Sequence, residues 1–281
     1  LRPSTSSTIG LGTGAGTLNL TDAELDQITT TGTLTIGRST AGAITLDDLT
    51  LGAKNVTLVS GSTINDDDDV GASIATTGTH TLTSGGAIGG LGGPAGLNAD
   101  VGTLAVTSTG GNNLTVTNAG TSALTLSNLA TGGAGNVTVT QSANTLSAAS
   151  VTTTGTIALT ASAGSLEESG SDAAADLTAA TLDLDAASGI GTLGALEVAA
   201  TTISADTTTG AISLTNAATA PTILSSLTTS TGAMDFSQTG SQPLSVTTAT
   251  TTDGAINLTN TGAALTVTTA TAGGVSRNIN L

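Results

Sequence analysis

Gly210-Ala-Ile-Ser-Leu214, Gly232-Ala-Met-Asp-Phe236 and Gly254-Ala-Ile-Asn-Leu258 stand in register, each glycine 22 residues after the last. Pro221 and Pro243 keep the same step. A period of that length suits one turn of a chain that coils into stacked short strands, since a single such unit cannot bury its apolar face without neighbours. Within each stretch two large apolar residues at i and i+2 point to one face, with a small or polar residue between them.

The same alternation recurs upstream, at Gly32-Thr-Leu-Thr-Ile36, Gly42-Ala-Ile-Thr-Leu46, Gly102-Thr-Leu-Ala-Val106, Gly135-Asn-Val-Thr-Val139 and Gly155-Thr-Ile-Ala-Leu159. Strand-like segments follow one another at spacings of about ten, which predicts two or three strands per coil. The expected fold is all-β: a single-stranded, right-handed parallel β-helix, or β-solenoid, of about 12 coils of roughly 20–23 residues. The hand follows the general preference of parallel crossovers. Coils stacked about 4.8 Å apart would make a rod roughly 60 Å long.

Residues 1–281 are read as one continuous solenoid in five stretches. Residues 1–60 hold the first coils and a short helical turn near 22–28, where Thr21-Asp-Ala-Glu24 is a capping-box pattern that would place Leu25 and Ile28 under the neighbouring coil. Residues 61–100 are loop-rich: Gly61 to Gly71, with Asn65 and Asp66 to Asp69, reads as a solvated loop, and Gly85 to Gly96, with Pro94, as another. Residues 101–166 carry no charge, residues 167–206 are acidic, and residues 207–281 hold the regular repeats. Asp183 and Asp185 alternate with Leu182 and Leu184, so the carboxylates should face out and the leucines in. Pro221 and Pro243 should sit immediately before strands, where a missing N–H costs least. Thr, Ser and Asn are expected on the outward face.

Composition agrees with a thin core. Of 281 residues 38 are Gly, Trp, Tyr and Cys are absent, and Phe236 is the one aromatic side chain. Leu, Ile, Val and Phe make up about a fifth of the chain, near the threshold at which disorder becomes the expectation. The periodic, β-branched pattern argues for order instead. The net charge of −16 sets 20 acids against Arg2, Arg38, Lys54 and Arg277. So sparse a basic complement argues against nucleic acid and anionic membrane surfaces, which attract clustered Lys and Arg. No run of apolar residues is long enough for a transmembrane helix. Both ends look cut from a longer repetitive protein, any signal peptide lying upstream or removed.

Chemistry has few candidates. His80, in Gly78-Thr-His80-Thr-Leu82, alternates with Thr and is read as facing solvent, with no nucleophile-elbow pattern around it. Asp47-Asp48 and Glu167-Glu168 are adjacent pairs, and neighbours in a strand point to opposite faces, whereas sugar hydrolysis needs carboxyls converging about 5 to 9.5 Å apart. The run Asp66 to Asp69 offers oxygen ligands for calcium. It lacks the Gly-Gly-x-Gly-x-Asp signature and reads as a hydrated repulsive loop. Gly90-Leu-Gly92-Gly-Pro94-Ala95 fits G-x-G-x-x-A formally but has Pro94 and no helix after it. Sequons at Asn19, Asn55, Asn113, Asn136 and Asn257 read equally well as outward polar ladders. No catalytic, cofactor-binding or metal-ligating residue is expected, and no cofactor.

Gly16-Thr-Leu-Asn-Leu20-Thr-Asp-Ala-Glu-Leu25-Asp-Gln-Ile28, followed by Gly32-Thr-Leu-Thr-Ile36-Gly37, resembles segments of filamentous-haemagglutinin-like large surface exoproteins. The Gly-Ala-Ile-x-Leu repeats are similar to repeats of the same family, and the likeness covers most of the chain. It implies a secreted bacterial β-helix acting as adhesin, fibre shaft or matrix component. The expected function is therefore a non-catalytic structural or adhesive segment of a bacterial surface protein or extracellular filament, located outside the cell or on its surface. Its expected partners are other copies or further repeats of the same chain, associating end to end or laterally, and host or neighbouring-cell surface glycans or proteins. Neither nucleic acid nor a membrane-spanning segment is expected. Two alternatives stand beside this: a Thr-rich ice-binding solenoid, suggested by Thr33/Thr35 and Thr79/Thr81, and, more remotely, a β-helical polysaccharide-active enzyme.

Overall fold

A computed structural model of the chain describes residues 1–3, 6–67, 71–90, 96–170, 172–275 and 277–281. It divides into two units, Leu1–Ala143 and Asn144–Leu281. Each is a β-solenoid of parallel strands, with about 11 turns in all against the 12 expected. Among the described residues the one helix is α1 (Asp22–Asp26).

In the first unit one ladder runs through Thr33–Gly37, Asn55–Ser60, the end of Ile74–Ser84, the end of Leu97–Ser108 and Leu124–Thr131. Its register stacks Ile36 on Leu58, Leu58 on Leu82, Leu82 on Val106 and Val106 on Leu129. A second ladder stacks Ile9, Ile44, Ile64, Ile88, Leu114 and Val137. A third, shorter one brings Leu49 onto Ile74 and Ile74 onto Ala99. These apolar residues are all buried. Period-2 alternation therefore sets the core: each strand contributes one or two side chains, and each fully buried Leu or Ile stabilises by about 1.5–3 kcal/mol. The step between partners is 20 residues from Ile44 to Ile64 and 26 from Ile88 to Leu114, and it reaches 35 from Ile9 to Ile44, an interval that also holds α1. Bulges absorb part of that variation. Ser127 is the extra residue opposite Leu104/Ala105, and its hydroxyl donates to the Leu104 carbonyl at 3.3 Å.

The second unit contains the regular repeats. Ile212, Met234 and Ile256 stack in one row, and Leu214, Phe236 and Leu258 in the next. Gly232 has φ +124, and a Cβ there would fall about 2.5 Å from the Gly210 backbone; one at Gly254 would overlap the Gly232 carbonyl oxygen. The glycine column thus exists because successive turns touch backbone to backbone at that corner. Pro221 and Pro243 immediately precede the strands Thr222–Thr231 and Leu244–Asp253, as their missing N–H requires. Leu182 and Leu184 are buried and Asp183 is exposed, as the alternation dictates.

Burial of polar residues departs from expectation. Asn118, Gln141, Asn216 and Gln238 are fully buried rather than outward. Each occupies the third inward place of a strand, after two apolar residues, as in Ile212-Ser-Leu214-Thr-Asn216 and Met234-Asp-Phe236-Ser-Gln238. They form amide ladders. Asn216 donates to Gln238 Oε1 at 3.2 Å, and Gln238 donates to Asn260 Oδ1 at 3.3 Å and to the Gln242 carbonyl at 2.8 Å. Asn118 donates to Gln141 Oε1 at 2.6 Å. At the matching corner of the other ladder Ser60, Ser84 and Ser108 are buried and donate to the carbonyls of Gly42, Ser62 and Gly86. An amide or hydroxyl placed where strand turns to corner serves backbone groups that the sheet leaves unpaired.

Helix α1 bears out the capping box: the Glu24 N–H donates to Thr21 Oγ1, and the Thr21 N–H donates to Glu24 Oε2 at 2.9 Å. Leu25 is fully buried, whereas Ile28 is half-buried. Lys54 pairs with Asp26 at 2.9 Å. Two loop assignments are corrected. Ile64–Asp66 and Ile88–Gly90 are strands, paired in register, because Ile64 and Ile88 continue the isoleucine row. Asp68 and Asp69, and Leu91 to Ala95 with Pro94, lie outside the described residues.

Gln238→Ala should lower the unfolding free energy by about 2–4 kcal/mol, since it strands one buried amide donor of Asn216 and leaves a cavity. Thr259→Ala, on the outward side, should change it by less than about 0.5 kcal/mol. Denaturant titration of the two variants checks the difference.

Candidate functional site

His80 lies inside, not outside. It stacks between Val56 and Leu104 and is fully buried, and neither ring nitrogen has a hydrogen-bond partner among the described residues. Burial alone pushes its pKa down to about 3, so the ring is neutral. The cause was legible: in Gly78-Thr-His80-Thr-Leu82 the histidine stands where Gly32-Thr-Leu34-Thr-Ile36 has its first leucine. Alternation with Thr marked the inward face, not the outward one.

Asp47 ends the strand Ile44–Asp47 and accepts the Thr13 hydroxyl, while Asp48 turns out to solvent with φ 48. Asp66, expected in a solvated loop, is 1 % exposed and accepts the Asn98 N–H at 3.0 Å. Glu167 and Glu168 split between faces as expected of strand neighbours. Glu167 is buried against the following turn, where it accepts the Thr192 hydroxyl and the Leu193 N–H, the latter at 3.1 Å.

Glu168 enters a different neighbourhood. One carboxylate oxygen from each of Glu168, Asp176 and Glu197 lies within 4.8 Å of the others. Three segments position them: Glu168 ends Leu166–Glu168, Asp176 directly precedes Leu177–Thr178, and Glu197 lies in Leu196–Ala199. Pairing of Leu177 with Val198 sets Asp176 over Glu197, and the Asp176 N–H donates to the Glu197 carbonyl at 2.8 Å. Asp176 is 5 % exposed. Its Oδ2 and Glu197 Oε2 are buried without a hydrogen-bond partner among the described residues. Burial, then the charges of Glu168, Glu197 and Asp172, push the Asp176 carboxyl up to about 7; burial and Glu168 raise that of Glu197. Glu168 Oε1 accepts the Asp172 N–H at 3.2 Å, which ties the intervening loop to the cluster.

The sequence held a signal for this cluster that strand alternation does not use. Asp176 and Glu197 are 21 residues apart, one turn, so they must stack. The same arithmetic stacks Asp185 on Asp206. There burial, Asp183 and Asp206 raise the Asp185 carboxyl, while Ser204 and Ser226 donate to Asp183 and Asp206 at 2.7 and 3.1 Å.

The outward threonines partly align. Thr35, Thr57 and Thr81 form one row, which Ala105 ends, and Thr79, Thr103 and Thr125 fall in another. In the second unit Thr228 and Thr250 share a row with Asp185 and Asp206.

No protein-family profile, no curated protein and no solved structure matches the chain. No helix among the described residues is long and apolar enough to cross a membrane.

His80 yields a signed prediction. Its folded pKa of about 3 lies below the ordinary value of 6.5, so the unfolded state binds a proton first as pH falls. Stability present above pH 6.5 is therefore lost progressively as pH drops towards 3. His80→Leu should remove that component of acid sensitivity. It should also stabilise the protein at pH 7 by about 1–3 kcal/mol, by replacing unpartnered polar atoms with the row's own side chain. Urea unfolding at pH 7 and pH 5 measures both.

Proposed function

We propose that the chain is a non-catalytic structural or adhesive segment of a secreted bacterial surface protein or extracellular filament, as the likeness of residues 16–37 and of the 22-residue repeats to filamentous-haemagglutinin-like exoproteins suggests. The carrying observation is the strand Leu265–Ala272. Its Leu265 and Val267 pair with Leu244 and Val246, which are 1 % exposed, yet are themselves only half-buried. Among the described residues that strand pairs on one side, with Leu244–Asp253, and a strand edge of this kind is able to pair with another coil. Other copies of the coil, added end to end, are the partners that fit it. Two features favour a scaffold over an enzyme: the one histidine is sealed in the core, and Phe236, the one aromatic, is 2 % exposed and offers no platform for a sugar.

The test is concentration-dependent assembly of the full chain, followed by sedimentation and electron microscopy. Particles that lengthen with concentration are expected, and Val267→Lys, which puts a charge on the open edge, should weaken association by about tenfold or more. A strictly monomeric species that binds no bacterial or host surface would overturn the proposal.

A second reading, a threonine-rich ice-binding face, draws on the Thr35–Thr57–Thr81 row. Under it the chain should show thermal hysteresis that Thr57→Lys abolishes; equal freezing behaviour with and without the chain would dismiss it.

A further inference from the structure

We propose that Glu168, Asp176 and Glu197 form a binding site for one divalent cation of the calcium type. Three carboxylates from three separate segments converge to within 4.8 Å. Independently, the side chain of Asp176, 5 % exposed, aims into the cluster with Oδ2 unpartnered among the described residues, and Glu197 Oε2 is buried and likewise unpartnered beside it. A buried carboxylate oxygen without a donor is costly, and the cost falls when a cation supplies the missing partner.

Among the described residues of this unit no unpaired basic side chain supplies that partner. The basic side chains of the chain are Arg2, Arg38, Lys54 and Arg277. Of these only Arg277 belongs to this unit, and it pairs with Asp253 at 2.6 Å. The acids facing the cluster are Asp172 on the loop and the three members themselves. The donor set is oxygen alone, which disfavours zinc and copper and suits hard cations. Size then separates the hard cations. Ligands at about 2.3–2.6 Å, as for calcium, can lie up to about 5 Å apart, whereas magnesium at about 2.0–2.1 Å allows little more than 4 Å. Oxygens within 4.8 Å of one another lie inside calcium's longer reach, and magnesium, which sheds water reluctantly, is the weaker competitor. Remaining coordination would come from water and from carbonyls of the loop held by Glu168. The bound ion would fasten that loop and two successive turns together. The inference stands apart from the adhesive reading, since it concerns only the second unit's own residues.

Isothermal titration calorimetry of the chelator-treated full chain with calcium chloride is the direct test, backed by scanning calorimetry with calcium, with magnesium and with chelator. With Trp and Tyr absent, intrinsic fluorescence is of little use, so heat is the readout. One calcium per chain and a Tm rise of about 3–6 °C at ten times the dissociation constant are expected, with magnesium at least tenfold weaker. Asp176→Asn and Glu197→Gln should each weaken calcium binding at least tenfold and remove the Tm rise, while Asp235→Asn, an exposed acid elsewhere, should leave both unchanged. In chelator Asp176→Asn should melt higher than the parent, because an amide replaces a repelled carboxylate. Should one variant fail to fold by circular dichroism, the other and Glu168→Gln decide. The proposal is overturned if the parent shows no calcium heat and no Tm shift, which would leave a shared proton as the cluster's only neutraliser. It is equally overturned if Asp176→Asn and Glu197→Gln bind as well as the parent, which would mean diffuse attraction to an acidic chain.

Discussion

Parallel pairing between successive turns governs everything else in this protein. Once the backbone of one turn hydrogen-bonds to the next in register, every side chain is placed directly on its counterpart about 4.8 Å along the stack. Apolar on apolar is then the easy case, and the isoleucine row from Ile9 to Ile88 shows how little variety it needs. Small residues are required where turns touch at corners, which gives the glycine column. The same constraint brings like charges together whenever two acids are one turn apart, as at Asp185 and Asp206 or Asp176 and Glu197.

The fold was legible because its signal is redundant. Any one of the strands could be misread, but Gly-x-Leu-x-Ile alternation repeated through the chain leaves few architectures open. The capped turn at Thr21–Glu24 was legible for the opposite reason: its chemistry is local and complete within four residues. Strands at Ile64–Asp66 and Ile88–Gly90 escaped notice because three residues among Gly, Ser and Asp look like loop until they are aligned with the turn before.

What alternation alone could not give was the identity of the inward face at polar places. Alternation of His80 with Thr79 and Thr81 reads as an outward row until Leu82, two residues on and buried, is seen to share its face. The acidic corner needed a second operation, comparing residues one turn apart rather than two residues apart, and the uneven step beside it, 20 residues from Leu146 to Leu166 but 26 from Val151 to Leu177, makes that comparison ambiguous in the sequence. Asn118 with Gln141, 23 residues apart, and Asn216 with Gln238, 22 apart, are visible to the same comparison.

The buried amides have a direction. Asn216 gives a hydrogen to Gln238 and Gln238 to Asn260, and Asn118 gives to Gln141, so each of these side-chain amide-to-amide bonds runs to the later turn. The amide dipoles within each file therefore add, and each bond polarises the next. At the early end of the longer file Asn216 Oδ1 accepts the Ala200 N–H, and at the late end Asn260 spends its hydrogens on the carbonyls of Gln242 and Ala264. The interior is thus a one-way wire as well as an apolar filling. A turn spliced in with an aliphatic side chain at that place would bury just as much surface, yet it would cut the wire into two shorter pieces.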